Sequence, residues 1–562
     1  MTATGTIAYF SMEVVLETHL PTYAGGLGAL AGDTLRSAAD LGLPMVGVTL
    51  LHRKGYFFQR LDAEGRQHEE PVAWSPDDWL QPLEATCTVE IEGRPVKVRA
   101  WRYALRGVGG GEVPVFLLDT DVPGNDPGDR RLSDQLYGGD ERYRLAQEVL
   151  LGVGGVRMLR VLGYREVSRF HMNEGHAALL ALELFAEELE RTPNRREEAI
   201  ERVKRRCVFT THTPVPAGHD QFSRSLAEHV LGRDHVKALE TLGCCNEVLN
   251  PTFVALHLSH YVNGVTRRHG EVSRSMFAGY PIASITNGVH SVTWTSPPFA
   301  RLYDHHIPDW RRNSASLRYA VGIPLEAIAG AHHEAKRDLI AEVNARTNAG
   351  LDQDVLTLGF ARRATPYKRP ALLFHDPQRL RRLAPPSGLQ IVLAGKAHPR
   401  DEAGKALIQQ VIRSAPGLGP EVKVVYLENY DVRLAGRLTA GVDVWVNTPR
   451  APLEASGTSG MKAAHNGVPS LSVLDGWWLE GHIEGITGWA IGPRDHDPAA
   501  ERSDAADAED LYRALEEQIV PLFSDRGRWS EVMRSTIALN ASFFNAQRML
   551  QEYVAQAYRD SS

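Results

Sequence analysis

The stretch Glu454-Ala455-Ser456-Gly457-Thr458-Ser459-Gly460-Met461-Lys462 decides how the chain reads. It follows Val442-Asp443-Val444-Trp445-Val446, a short apolar run with the character of a buried strand. After it, Met461-Lys462-Ala463-Ala464-His465-Asn466 begins a helix that Gly467 closes within about two turns. A strand, a loop of small residues and a helix start place free backbone N–H groups around an anion, and the small side chains let it approach the main chain. A plain strand-to-helix turn gives the same pattern. Lys462 separates the two readings. A Lys beside the positive end of a helix dipole is disfavoured as a cation, and a positive field shifts it toward the free amine that Schiff-base chemistry uses. The loop is not a P-loop, which requires Ser or Thr after the Lys.

Working outward, the second half of the chain repeats a strand–loop–helix unit. Val355–Phe360 precedes Ala361-Arg362-Arg363-Ala364-Thr365-Pro366-Tyr367-Lys368-Arg369, Gln390–Ala394 precedes Gly395-Lys396-Ala397-His398, and Val422–Leu427 precedes Glu428-Asn429-Tyr430-Asp431. Leu471–Leu474 precedes Asp475-Gly476-Trp477-Trp478. Strands alternating with helices predict a parallel sheet covered on both faces, which gathers ligands beyond its strand ends. Arg362, Arg363, Lys368 and Arg369 put four positive charges within eight residues of such an end. A solvated charge run is the alternative. Two unit charges 4 Å apart interact with ~4 kcal/mol at an effective dielectric of about 20, so a site holding two phosphates needs several fixed cations. The polar run Arg494–Asp507 reads as an exposed loop, and two closing helices follow, roughly 508–523 and 529–557.

The first half carries its own motifs. Tyr9-Phe10-Ser11-Met12-Glu13 is a strand, and Gly25-Gly26-Leu27-Gly28 a turn that opens a helix through Asp33. The amides of Gly25 and Gly26 are placed to approach a phosphate or sugar hydroxyl, although a plain turn explains the glycines equally well. The alternation in Cys87–Ile91 and Val96–Ala100 predicts antiparallel strands, and Arg144 to Leu162 a helix bearing Gln147 and Glu148. Val167–His176 runs from strand to helix; His171 and His176 lack the spacing of a zinc protease, so His171 reads as a structural, hydrogen-bonded ring. Cys207–Thr211 is a strand ending in His212-Thr213-Pro214-Val215-Pro216, and Ile282–Thr286 another ending in Asn287-Gly288-Val289-His290, with Trp294 beyond.

The 562 residues exceed one ordinary core and suggest two large domains. A net charge of −7 argues against nucleic acid or an anionic membrane as partner. No apolar run reaches the ~20 residues a bilayer span needs, and Met1–Gly5 lacks a basic start, so no export signal is expected. The four cysteines have no metal-ligand spacing, and the adjacent Cys244-Cys245 is poorly placed for a bridge, so a reduced, cytoplasmic protein without a metal is expected.

Glu454–Lys462 strongly resembles the pyridoxal-phosphate site of the α-glucan (glycogen, starch, maltodextrin) phosphorylases, and the likeness extends from Tyr9 to the Trp477 region. The resemblance implies two Rossmann-like domains facing across a deep cleft, the GT-B glycosyltransferase architecture, with the final helix packing on the second domain or crossing back to the first. It sets Thr286-Asn287-Gly288 at the domain junction, which gives expected domain bounds of 1–295 and 296–562. It implies reversible phosphorolysis of an α-1,4-glucan or maltooligosaccharide from the non-reducing end, with inorganic phosphate as co-substrate, and it allows a homodimer. Lys462 matches the cofactor lysine; Tyr430, Thr458, Ser459 and Gly26 match groups about the cofactor. Arg363 and Lys368 match the phosphate-binding pair, and Arg362 is assigned with them to substrate binding. His212, Asn287, Glu454, Ser456, Gly457 and Gly25 match substrate-binding positions, and Asn173 and His176 the acceptor side. Glu454 is expected to bind sugar hydroxyls rather than to act as a nucleophile.

There are departures. Arg362 stands where the animal and plant branches have Lys, Ser459-Gly460 replaces their Gly-Asn, and Ala29 their Arg. The chain is expected to begin at the core motif with no leading segment for phosphorylation control, as in a compact bacterial-type branch. A nucleotide-sugar-dependent α-glucan glucosyltransferase of the same architecture, or a non-catalytic glucan-binding homologue, are the competing readings.

Overall fold

A computed structural model describes residues 5–193, 195–215, 218–242, 244, 247–493 and 502–559. Cys245, Pro216 and most of the expected Arg494–Asp507 loop lie outside these residues. The end of that loop is helical instead: Ser503 caps a helix over Asp504–Ala514, its hydroxyl accepting from the Ala506 amide at 3.2 Å.

The described residues divide into two compact units. The first draws on Met1–Phe57, Pro71–Ile285 and Met549–Ser562; the second on Phe58–Glu70 and Thr286–Arg548. Both are mixed α/β with large, mainly parallel sheets. In the first, nine strands run in the spatial order Ala283–Ser284, Tyr261–Gly264, Cys207–Thr210, Val167–Asn173, Thr6–Ser11, Met45–Leu50, Glu112–Asp119, Arg94–Arg106, Gln81–Ile91. Pairing is parallel as far as Glu112–Asp119 and antiparallel for the last two strands. Central strands such as Met45–Leu50 are buried along their whole length, as expected of a sheet covered on both faces. The expected helix beyond Arg144 is interrupted by a wide π turn over Leu150–Gly154 between Glu141–Val149 and Gly155–Val161.

The second unit holds a six-stranded, all-parallel sheet in the order Val422–Leu427, Leu389–Ala394, Leu356–Ala361, Val444–Asn447, Ser470–Val473, Gly488–Ile491. In chain order this is 3-2-1-4-5-6, the doubly wound arrangement, whose direction of winding reverses between Leu356–Ala361 and Val444–Asn447. These two strands feed the cationic loop and the Glu454–Lys462 loop, so topology alone brings both to the crevice where this class of sheet binds ligands. The two expected closing helices are each broken by π turns, at Leu515–Ile519 and Thr536–Ala541. The end of the chain packs in the first unit, where the Tyr558 hydroxyl meets His171 Nδ1 at 2.6 Å and that of Tyr553 meets Thr210 Oγ1 at 2.9 Å. Among the described residues no helix is long and apolar enough to cross a membrane.

Candidate active site

The site in the second unit is centred on a carboxylate. Glu454 is buried, and its Oε2 accepts from Arg362 Nη2 at 2.8 Å and Lys368 Nζ at 2.5 Å. Its amide donates to Asp475 Oδ2 at 2.8 Å, which fixes the loop. Burial alone would raise the Glu454 carboxyl; Arg362 and Lys368 outweigh it and hold the group below the ordinary carboxylate range. A single anion therefore clasps two cations of the cluster.

The four cations do not act together. Arg369, at a positive φ of 46°, turns to the Thr448 and Pro449 carbonyls and to Asp507 and Asp504, where it braces the helix Asp504–Ala514. Arg363 is exposed. Arg362 keeps Nε and Nη1 buried with no hydrogen-bond partner among the described residues, as do the Ser456 hydroxyl and Asn447 Oδ1.

Gly457, at φ 84°, is the left-handed residue from which the next helix springs, and that helix spans Thr458–Ala464. It begins three residues before the expected Met461, so Lys462 stands in its last turn. The dipole argument for a destabilised ammonium is thereby overturned, because a cation is favoured at that end. Lys462 is buried instead with its amine 3.7 Å from the centre of the Trp294 ring. Trp294 is pinned to the same helix: Asn466 Nδ2 donates to its carbonyl at 2.8 Å, and Ser291 Oγ meets His465 Nε2 at 2.9 Å. The amides of Thr458 and Ser459 belong to the first turn, where no intrahelical carbonyl reaches them. Ser459 Oγ accepts from Trp445 Nε1 at 3.1 Å, and Tyr430 packs on the core formed by Trp445 and Ala463. Asn287 is buried; its carbonyl accepts from Arg548 Nη2 at 3.0 Å, and its Oδ1 has no partner among the described residues.

In the first unit, His212 Nε2 lies 2.6 Å from Asn173 Oδ1. Asn173 Nδ2 donates to Ser11 Oγ at 3.0 Å, so its oxygen faces the imidazole and the ring proton sits on Nε2. Burial lowers His212 to about 4, which keeps it neutral at neutral pH. Glu174, at φ 77°, anchors the loop by accepting from the His212 amide at 2.7 Å and Thr213 Oγ1 at 2.9 Å. Its part was missed from the sequence, where only the adjacent Asn173 and His176 were singled out. His176 Nε2 lies 3.3 Å from Asp220 Oδ2. The Gly25 amide, expected to face a ligand, donates to Glu13 Oε2 at 3.0 Å. Gly26 has open space where a Cβ would lie.

The donor set of the second unit fits pyridoxal phosphate. A buried primary amine answers an aldehyde, and first-turn amides with two unpartnered guanidinium nitrogens answer a phosphate. Comparison with known proteins agrees. Residues 235–484 match the model of the carbohydrate phosphorylase family. The chain is 39% identical to the maltodextrin phosphorylase of Thermococcus litoralis over 98% of its own length and 70% of that protein's. It is 36% identical to the glycogen phosphorylase of Aquifex aeolicus, with 98% and 86% covered. An uncharacterized protein of Methanocaldococcus jannaschii is 32% identical, with 98% and 99% covered. The lysine at the end of its short helix, the cationic loop beside it and this extended likeness have one common account: the chain belongs to the carbohydrate phosphorylase family, as an α-glucan phosphorylase.

Proposed function

We propose that the protein catalyses reversible, retaining phosphorolysis of an α-1,4-glucan or maltooligosaccharide from the non-reducing end, releasing α-glucose 1-phosphate. The observation that carries this reading is the buried Lys462 amine at the same sheet edge as Arg362, whose Nε and Nη1 have no partner among the described residues. Pyridoxal 5'-phosphate, when bound, supplies a phosphate whose second pKa, about 6, suits proton exchange at neutral pH. Lys462 would hold it, with the Thr458 and Ser459 amides and Tyr430 orienting it. Gly26, in the first unit, is assigned to the cofactor by resemblance.

Arg362, Arg363 and Lys368 would bind inorganic phosphate and balance its charge. Glu454 then has a second role: as phosphate takes up the cations, the carboxylate is released toward sugar hydroxyls, along with Ser456, Gly457 and Asn287. His212, fixed by Asn173 and Glu174, would present its main-chain carbonyl to the anomeric carbon, where a dipole favours developing positive charge. Gly25 takes part through its position in the turn, its amide being held by Glu13. Phosphate that has given its proton to the glycosidic oxygen attacks the same sugar face, so retention needs no carboxylate nucleophile. A cytoplasmic homodimer belongs to the same proposal.

The test is incubation with inorganic phosphate and a graded set of maltooligosaccharides. Glucose 1-phosphate is expected from the wild-type chain and none from Lys462→Ala. A wild-type chain that releases none from any glucan, with pyridoxal phosphate supplied, overturns the proposal.

A further inference from the structure

The hairpin formed by Phe58–Leu61 and Gln67–Glu70 lies far in sequence from the rest of the second unit, yet it is part of that unit. Two of its side chains are buried amides, Gln59 and Gln67. Gln59 Nε2 donates to Gln67 Oε1 at 2.9 Å and to the Gly395 carbonyl at 2.8 Å. Its Oε1 accepts from the Asn429 main-chain N–H at 2.9 Å, while its own main-chain N–H donates to Asn429 Oδ1 at 3.2 Å. Gln67 grips Ala397 by both main-chain groups, accepting from its N–H at 2.9 Å and donating to its carbonyl at 3.0 Å. The rim of the hairpin adds Arg60 Nη1 to Glu428 Oε1 at 2.8 Å.

The main-chain groups read by these amides belong to the loops that follow Leu389–Ala394 and Val422–Leu427. The first loop carries Lys396, between the two gripped residues. The second carries Tyr430, directly after Asn429, whose positive φ of 55° is a conformation that its two hydrogen bonds with Gln59 support. An apolar cover would exclude water from these loops without dictating their shape. Buried amides are tolerated only when their partners stand in the right places, so they select one loop conformation.

We infer that Gln59 is a positioning residue for the cofactor pocket: through Asn429 it sets the loop that presents Tyr430, and through the Gly395 carbonyl it ties the neighbouring loop to the same hairpin. The inference rests on the function proposed above. It is tested by purifying the holoenzyme, removing the cofactor and titrating pyridoxal 5'-phosphate back, with the bound cofactor's absorbance as readout. Gln59→Met, equal in length but apolar, is expected to weaken uptake about tenfold. Combined with Tyr430→Phe it is expected to lose less than the product of the two single effects, because both act through one loop. Arg60→Met, exposed on the same hairpin, keeps the wild-type affinity within about twofold. If Gln59→Met fails to fold, Gln67→Met, which releases Ala397 and removes the oxygen that accepts from Gln59 Nε2, carries the test in the same direction. A folded glutamine variant with unchanged affinity, or an effect fully independent of Tyr430→Phe, overturns the inference alone. A wild-type chain that takes up no pyridoxal phosphate overturns the proposed function and this inference with it.

Discussion

The Lys462 amine lies 3.7 Å from the centre of the Trp294 ring, and both side chains are buried. A desolvated cation over an indole face is worth roughly 2 kcal/mol. Without cofactor, a double-mutant cycle of Lys462→Met and Trp294→Leu, read by urea denaturation, is expected to give a coupling of about 1–2 kcal/mol. A coupling below about 0.3 kcal/mol would mean that the indole merely fills space beside the amine.

Glu454→Gln removes the anion shared by Arg362 and Lys368. Leaving buried charges without their partner costs about 3–5 kcal/mol. The variant should therefore melt well below the wild type in a phosphate-free buffer. Added inorganic phosphate replaces the missing charge, so its melting temperature should rise more than that of the wild type. Equal rises in the two proteins would show that the cations do not receive phosphate.

Acid should weaken the fold well above the carboxylate range. Burial lowers His52, His212, His269 and His465 to about 4 and His171 to about 3. These folded-state values lie below the unfolded value of about 6.5. Stability is thus fully present above that value and is lost as pH falls toward 4, because the unfolded chain takes up protons that the native rings refuse. Each ring contributes at most ~1.4 kcal/mol per pH unit. Urea midpoints at about pH 7.5 and about pH 5.5 should differ clearly, the lower pH being less stable. A flat profile would show that these rings titrate normally.

Gly460→Ala probes the packing of the Lys462 helix. A Cβ there would lie 2.6 Å from Trp477 Cζ2 and 3.0 Å from its Cε2. The indole cannot retreat, being packed against Trp478 and Phe544, while the Trp477 amide donates to the Ser456 carbonyl at 2.9 Å. Overpacking of this kind costs about 1–3 kcal/mol. The variant should lose stability and bind pyridoxal phosphate more weakly. An unaltered melting temperature together with unaltered uptake would show that the helix moves freely.

The sequence by itself determined five of the six strands of the second sheet, all but Gly488–Ile491, and the loops that carry its chemistry. Parallel strands buried on both faces must be continuous apolar runs, and runs such as Val422–Leu427 need no distant information to be recognised. It misplaced the start of the Lys462 helix because Thr458, Ser459 and Gly460 are weak helix formers, and contacts from Trp445 and Trp477 accompany their helical state. Only the tertiary structure decided which cations of one short loop meet Glu454, across 92 residues for Arg362 and 86 for Lys368, and that Arg369 braces a helix instead. It alone placed Trp294 over Lys462 and Gln59 against Asn429. Local pattern fixes a segment's conformation, whereas the partner of a buried charge or amide depends on which distant segments the packing brings within hydrogen-bond reach.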